Sequence, residues 1–228
     1  MASNCVIGYV ADKLVDLGAT VIFGETTEFI GGEHLLARRA VSKEVGDKIL
    51  KIVDDMEARA KSLGCDMRKG QPTPGNIAGG LSSIEEKSLG AIMKSGSRPI
   101  QGVLDYTQRV TDQKGLWIKD TPGREPEILT GMAATGAQVM MFSTGRGAPQ
   151  GFPSMPVIKI CGNPNTYERM EQDMDINAGL IITGEKTIEE VGEEAFAKLL
   201  RTLSGEMTKN EAIQYVTSID IQCLGPVI

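Results

Sequence analysis

The sequence predicts an α/β fold in three layers, with a mostly parallel sheet covered by helices on both faces in a Rossmann-like arrangement. Segments with helical apolar spacing alternate with short runs that are almost wholly apolar, the pattern of strands buried on both faces. The connections are punctuated by glycine and proline, which end helices and turn the chain. At 228 residues, with 41% hydrophobic and 24% charged residues, the chain has an ordinary globular balance and can bury a stable core. No internal repeat, low-complexity stretch or long linker divides it, so residues 1–228 read as one domain.

In chain order, Asn4 is placed to cap an apolar-periodic helix running to about Leu17, Gly18 ends it, and residues 19–23 read as a buried strand. Ser42 opens a long amphipathic helix, with Val45, Ile49, Ile52, Val53 and Met56 at helical spacing, as far as Leu63. Residues 70–80, rich in glycine and proline, form a loop. It delivers the chain to Ser83, an N-cap with Glu86 three positions on in the capping-box place. That helix ends near Gly96. Strands follow at residues 100–104, 116–119, 138–142 and 157–160, with helices near 167–174 and 188–203.

Composition narrows the function. A net charge of -6 argues against a nucleic-acid groove, which needs clustered, uncompensated Lys and Arg. No apolar run approaches the roughly 20 residues that span a bilayer, and the N-terminus lacks a basic region followed by an apolar core. A cytoplasmic protein is expected, with Cys5, Cys65, Cys161 and Cys223 as reduced thiols, since no C-x-x-C pair occurs. No G-x-G-x-x-G follows the first strand, and residues 131–136 do not make that motif, so a dinucleotide site is disfavoured.

The residues with chemistry lie at strand ends. Residues 139–159 set a glycine-punctuated loop between two apolar runs, where α/β sheets present anion-binding groups. Gly145 and Gly147 let the backbone turn tightly; Thr144 offers a hydroxyl, and the Arg146 fork suits a carboxylate or phosphate. An ordinary connection with a solvated arginine has the same composition. Glu25 and Glu28 directly follow the first strand and could bind hydroxyls, hold a hard cation or act as a base; salt bridges or helix caps are the plainer alternative. His34 has the side chain that titrates nearest neutrality, although a lone histidine is commonly structural. Lys87 could serve as a base or carboxylate binder, or be a solvated ammonium. Asp173, Asp175 and Asn177 alternate and could aim oxygen ligands at Mg²⁺, or cap and turn the chain.

The order of several motifs carries a resemblance. Gly-Glu-Thr-Thr-Glu at 24–28, Glu-His-Leu-Leu at 33–36, Pro-Thr-Pro-Gly-Asn at 72–76, Gly-Gly-Leu at 79–81, Glu-Lys-Ser-Leu-Gly at 86–90, Ser-Thr-Gly-Arg-Gly at 143–147 and Asp-Met-Asp-Ile-Asn-Ala-Gly at 173–179 resemble, over essentially the whole chain, the C-terminal portion of the altronate and galactarate dehydratases. The large subunit of sulfolactate sulfo-lyase is similar as well. The resemblance implies a lyase that removes water from a sugar acid, or sulfite in the sulfo-lyase case, to leave a 2-keto acid. It implies a divalent metal (Fe²⁺, Mn²⁺ or Mg²⁺), for which the alternating Asp173 and Asp175 are the candidate ligands. Glu25, Glu28, His34 and Lys87 become candidates for proton transfer, and Asn76, Thr144, Gly145, Arg146 and Gly147 for substrate binding. The resembling enzymes are longer, so a fragment is expected, completed by N-terminal segments or a small subunit, with a homo-oligomer an open option. The alternative is a non-catalytic scaffold or substrate-binding domain.

Overall fold

The computed structural model describes residues 1–110, 112–216 and 219–223. Every strand pairing is parallel, as the apolar runs require, but the strands divide into two three-stranded sheets. The first contains β1 (Thr20–Phe23), β2 (Ile100–Leu104) and β3 (Gly115–Lys119) in the order β1-β3-β2. The second contains β4 (Met140–Thr144), β5 (Val157–Cys161) and β6 (Ile176–Asn177) in that order. β1 and β4 are therefore edge strands.

The helices are α1 (Ala2–Asp16), α2 (Glu33–Ala37), α3 (Lys43–Ser62), α4 (Met67–Gly70), α5 (Pro74–Ala78), α6 (Ile84–Ile92), α7 (Glu125–Thr135), α8 (Pro164–Arg169), α9 (Gly179–Ile182), α10 (Ile188–Leu203) and α11 (Lys209–Ala212). In α3 the expected apolar stripe is buried: Ile49, Ile52 and Val53 pack with Ile100, Leu116 and Ile118 of the first sheet. Val6 and Val10 of α1 join Val191 and Ala195 of α10 over Ile158 and Ile160 of β5. On the other side, Ile128, Leu129 and Met132 of α7 pack with Val157, and Ile22, Met140 and Phe142 lean on the same cluster. Helices thus cover both faces, and α7 reaches from one sheet to the other. No helix among the described residues is long and apolar enough to cross a membrane.

Capping chemistry sets several boundaries. The Ser42 side chain accepts from the Val45 N–H, and the Ser83 hydroxyl accepts from the Glu86 N–H. The Glu86 carboxylate reaches back to Ser82 instead of Ser83, so the capping box is only half formed. Asn4 is a correction: α1 begins at Ala2, and Asn4 lies inside it, donating to the Gly90 carbonyl at 2.8 Å and accepting from Ser143 Oγ at 2.8 Å. Residues 70–80 are not all loop either. Pro74 sits in the first turn of α5, where its missing N–H costs nothing. Helix α7 escaped the periodicity because Gly131 interrupts its apolar stripe; a Cβ there would lie 2.6 Å from the Tyr106 ring, so glycine is what lets that ring pack.

Candidate functional site

A polar cavity of about 530 Å³ opens beyond the C-terminal ends of β1 and β4. This is the place where a parallel sheet presents ligand groups. Two short chain stretches and one helix face supply its charged side chains: the turn after β1 brings Glu25 and Glu28, α6 and the turn that follows it bring Glu86, Lys87 and Lys94, and the loop after β4 brings Arg146.

Glu25 stands in the left-handed backbone region, with φ 69° and ψ 66°. For a residue with a Cβ that conformation costs about 1–3 kcal/mol and persists only when neighbours fix it. The fixing groups are Thr121 and Thr26. Glu25 N–H donates to Thr121 Oγ1 at 2.7 Å, Thr26 N–H to the Thr121 carbonyl at 2.9 Å, and Thr26 Oγ1 to Asp120 at 2.7 Å. So held, the Glu25 carboxylate meets the Lys94 ammonium, with only 14% and 13% of the two side chains exposed. Burial pushes the Glu25 carboxyl above its ordinary value, against the pull of Lys94. Burial also works against the Lys94 charge, but Glu25 and then Glu28 outweigh it, and Lys94 holds its proton more tightly than a free lysine. Both members of the buried pair thus hold a proton more tightly than the same groups do in water.

Glu28 and Lys87 form a second pair at 2.9 Å, and Lys87 also donates to Gln71 Oε1 at 2.9 Å. Across the cavity, Thr144 Oγ1 accepts from the Gly147 N–H at 3.0 Å, which shapes the loop, while Thr166 donates to the Gly145 carbonyl at 3.0 Å. Gly147 has φ 86°, and a Cβ on it would lie 2.2 Å from Met170 Sδ, so glycine is required there. Arg146 lies over the first turn of α5. A Cβ on Gly75 would come within 2.6 Å of the guanidinium, so that glycine makes room for it. Asn76 spends its side-chain oxygen on the Thr73 hydroxyl at 2.9 Å and turns its residue toward the cavity.

Most of the expected site residues therefore converge: Glu25, Glu28, Lys87, Asn76, Thr144, Gly145 and Arg146 line one space, and Gly147 supports it from behind. His34 does not. It lies exposed on α2, whose apolar face turns Leu36 into the core, and it is no part of the cavity. Asp173 and Asp175 are also corrections. The Asp175 carboxylate is fully buried, accepting the Lys159 and Lys209 N–H groups at 2.9 and 3.0 Å with Lys198 at 3.5 Å. Asp173 lies in a 3-10 turn, and Asn177 accepts from the Gly179 N–H at 2.9 Å. The alternation fails because β6 begins only at Ile176, so the three oxygens do not face one point. Among the described residues no three His, Cys, Asp or Glu side chains gather to hold a metal. The expected divalent ion does not fit this set, because the Asp175 carboxylate is committed to two backbone N–H groups and Lys198, and the Asn177 oxygen to the Gly179 N–H.

Sequence reading missed Lys94 and a further buried pair, Lys159 with Glu125. Lys159 is fully buried in β5, its ammonium bonded to Glu125 and lying 4.3 Å from the Phe142 ring centre. Burial lowers Lys159 and raises Glu125, and the charge of Glu25 adds to the rise. A lysine inside an otherwise apolar five-residue strand was the legible signal.

The family described as D-galactarate/altronate dehydratase, C-terminal, matches residues 1–223. The chain belongs to this dehydratase family. It is 42% identical over 206 residues to the galactarate dehydratase (L-threo-forming) of Escherichia coli, covering 90% of this chain and 39% of that protein. It is 39% identical over 213 residues to the (2R)-sulfolactate sulfo-lyase subunit beta of Chromohalobacter salexigens, covering 92% and 54%. The altronate dehydratase of Bacillus subtilis is 33% identical over 211 residues, covering 92% and 42%. The chain thus spans about half, or less, of the length of these dehydratase-family relatives.

Proposed function

We propose that the cavity is the elimination site of a hydro-lyase acting on a sugar acid such as galactarate or altronate. The observation that carries this reading is the convergence of two Lys–Glu pairs on one side of the cavity with Arg146, Asn76 and Thr144 on the other. An elimination of this kind needs three services: a fork for the carboxylate, a base for the proton on the carbon beside it, and an acid for the departing hydroxyl.

In this reading Arg146 binds the substrate carboxylate, with Asn76 and Thr144 on neighbouring oxygens. Glu25 takes the proton from the adjacent carbon, a task suited to a carboxylate whose affinity for protons burial has raised. Lys94 stays charged and stabilises the negative charge that develops on the carboxylate side. Lys87 gives a proton to the leaving hydroxyl as the carbon–oxygen bond breaks, so water departs and an enol remains, which tautomerises to the 2-keto-3-deoxy acid. No step here uses a metal; a divalent ion belongs to the proposal only with ligands from substrate or from polypeptide outside these residues. Further segments or a companion subunit, self-association and a cytoplasmic setting remain parts of the same proposal.

A second reading, release of sulfite from sulfolactate, is favoured by the sulfo-lyase relative, which aligns over 92% of the chain. A thermal-shift panel with galactarate, altronate and sulfolactate separates the two. A bound acid at about 100 times its dissociation constant adds about 2.7 kcal/mol of stability. A selective shift names the substrate class. No shift with any acid counts against the site and supports the scaffold alternative.

A further inference from the structure

A second cavity, of about 520 Å³, lies between the facing edges of the two sheets. Every residue from Ala19 to Glu25 and from Gln138 to Ser143 borders it. Side chains along a strand alternate between faces, so only a strand edge can present consecutive residues to one space. Val10 and Leu14 of α1 close one side, and Ile128 and Met132 of α7 close the other. The walls are mostly apolar, with Thr20, Lys114, Thr135 and Gln138 among them, unlike those of the more polar cavity it meets at Glu25 and Lys94.

The hydrogen-bond ladders show which backbone groups point into this gap. Gly115 N–H bonds to the Ala19 carbonyl at 3.0 Å. A parallel ladder engages alternate residues of a strand, so Val21 and Phe23 pair with β3 while Thr20 and Ile22 turn their N–H and C=O outward. Met140 N–H bonds to the Pro156 carbonyl at 2.9 Å, and Gly162 N–H to the Thr144 carbonyl at 2.9 Å. By the same alternation Met140, Phe142 and Thr144 pair with β5, and Met141 and Ser143 face the gap. No ladder joins β1 to β4 among the described residues. Two rows of backbone donors and acceptors thus confront each other across an apolar slot. Polar backbone groups so enclosed are costly without partners.

β4 shows the same incompleteness in its burial. Met-Met-Phe-Ser-Thr is half-buried along its whole length, whereas the central β5 is buried at all five positions. Apolar strands of parallel sheets ordinarily have neighbours on both sides. An extended segment is the one backbone form that satisfies two strand edges at once. The length to supply it exists in the family, since the matched region is 39% of the galactarate dehydratase and 54% of the sulfo-lyase subunit.

We propose that the slot between β1 and β4 receives an extended apolar strand of about five residues, roughly 17 Å long, from the polypeptide that the longer relatives carry outside the matched region. The insertion would join the two sheets into one and fix the Glu25 turn relative to the Arg146 loop. Residue-resolved amide exchange by NMR tests this on residues 1–228 alone and on the full-length protein that contains them. In the shorter form the Ile22 and Met141 amides should exchange about 100-fold faster than those of Val21 and Phe142, and in the full-length protein the difference should vanish. Ile22 and Met141 amides that stay fast in the full-length protein would overturn the proposal. So would amides already slow in the shorter form, because β1 and β4 would then pair directly. The readout is independent of turnover, so its failure would leave the elimination chemistry standing.

Discussion

Two Lys–Glu pairs face the same cavity and differ in how much water reaches them. Glu25–Lys94 has side chains 14% and 13% exposed; Glu28–Lys87 has 26% and 18%, and its lysine is shared with Gln71. The inner pair rests on a left-handed backbone at Glu25, locked by Thr121, while the outer one sits on an ordinary helix face. In the proposed reading, dryness and strain are concentrated at the base, whose proton affinity is held away from its solution value. The outer pair keeps contact with water, which would suit the proposed acid, a group that delivers and regains a proton.

Breaking each pair should sharpen that contrast. Lys94→Ala leaves the Glu25 carboxylate buried without a partner, and we expect a stability loss of about 3–5 kcal/mol in urea unfolding. Lys87→Met should cost less than about 1 kcal/mol, because its pair is partly solvated. In the full-length protein, however, that same change should lower turnover by about 100-fold or more if Lys87 is the acid. Equal stability losses for the two variants would erase the distinction between the pairs.

The inner pair also sets a pH dependence. Glu25 has its carboxyl raised in the fold, so between its ordinary value of 4.5 and its folded value the native state holds a proton that the unfolded chain has released. That contribution to stability is complete below pH 4.5 and is lost as pH rises through the folded value. Glu25→Gln should remove the decline, so the stability of wild type relative to the variant falls as pH increases above that point. Lys119 acts in the opposite sense elsewhere. Buried in β3 and donating to the Asp105 and Gln108 carbonyls, it is lowered by burial to about 8, so stability should rise between about pH 8 and 10.5, and Lys119→Met should flatten the rise. Smallest of all, His34→Ala should change stability by less than about 0.5 kcal/mol and leave activity intact.

The sequence displayed much of this site because its residues follow strand ends or begin helices. The turn at Glu25 and Glu28 and the loop at Thr144 to Gly147 come directly after apolar runs, and Lys87 follows a Ser83 cap. Lys94 was legible only in hindsight. It lies seven residues, about two helical turns, beyond Lys87 and so on the same helix face, but by Lys94 the helix has tightened into a 3-10 turn. His34 misled because chemical type says nothing of which way a short helix faces. The Asp173 to Asn177 alternation misled because strand geometry starts too late to align it. The division of the sheet was hidden for a different reason: apolar runs announce strands but not which edges remain without neighbours.

The most direct test of the account follows the substrate's own proton. The full-length protein would be incubated in D₂O with the acid that the binding panel selects, and deuterium entry beside the carboxylate read by NMR. The account predicts that Lys87→Met still exchanges that proton while its elimination is slow, and that Glu25→Gln does neither. Exchange that persists in Glu25→Gln would contradict the assignment of Glu25 as the base and, with it, the functional meaning given to the dry pair.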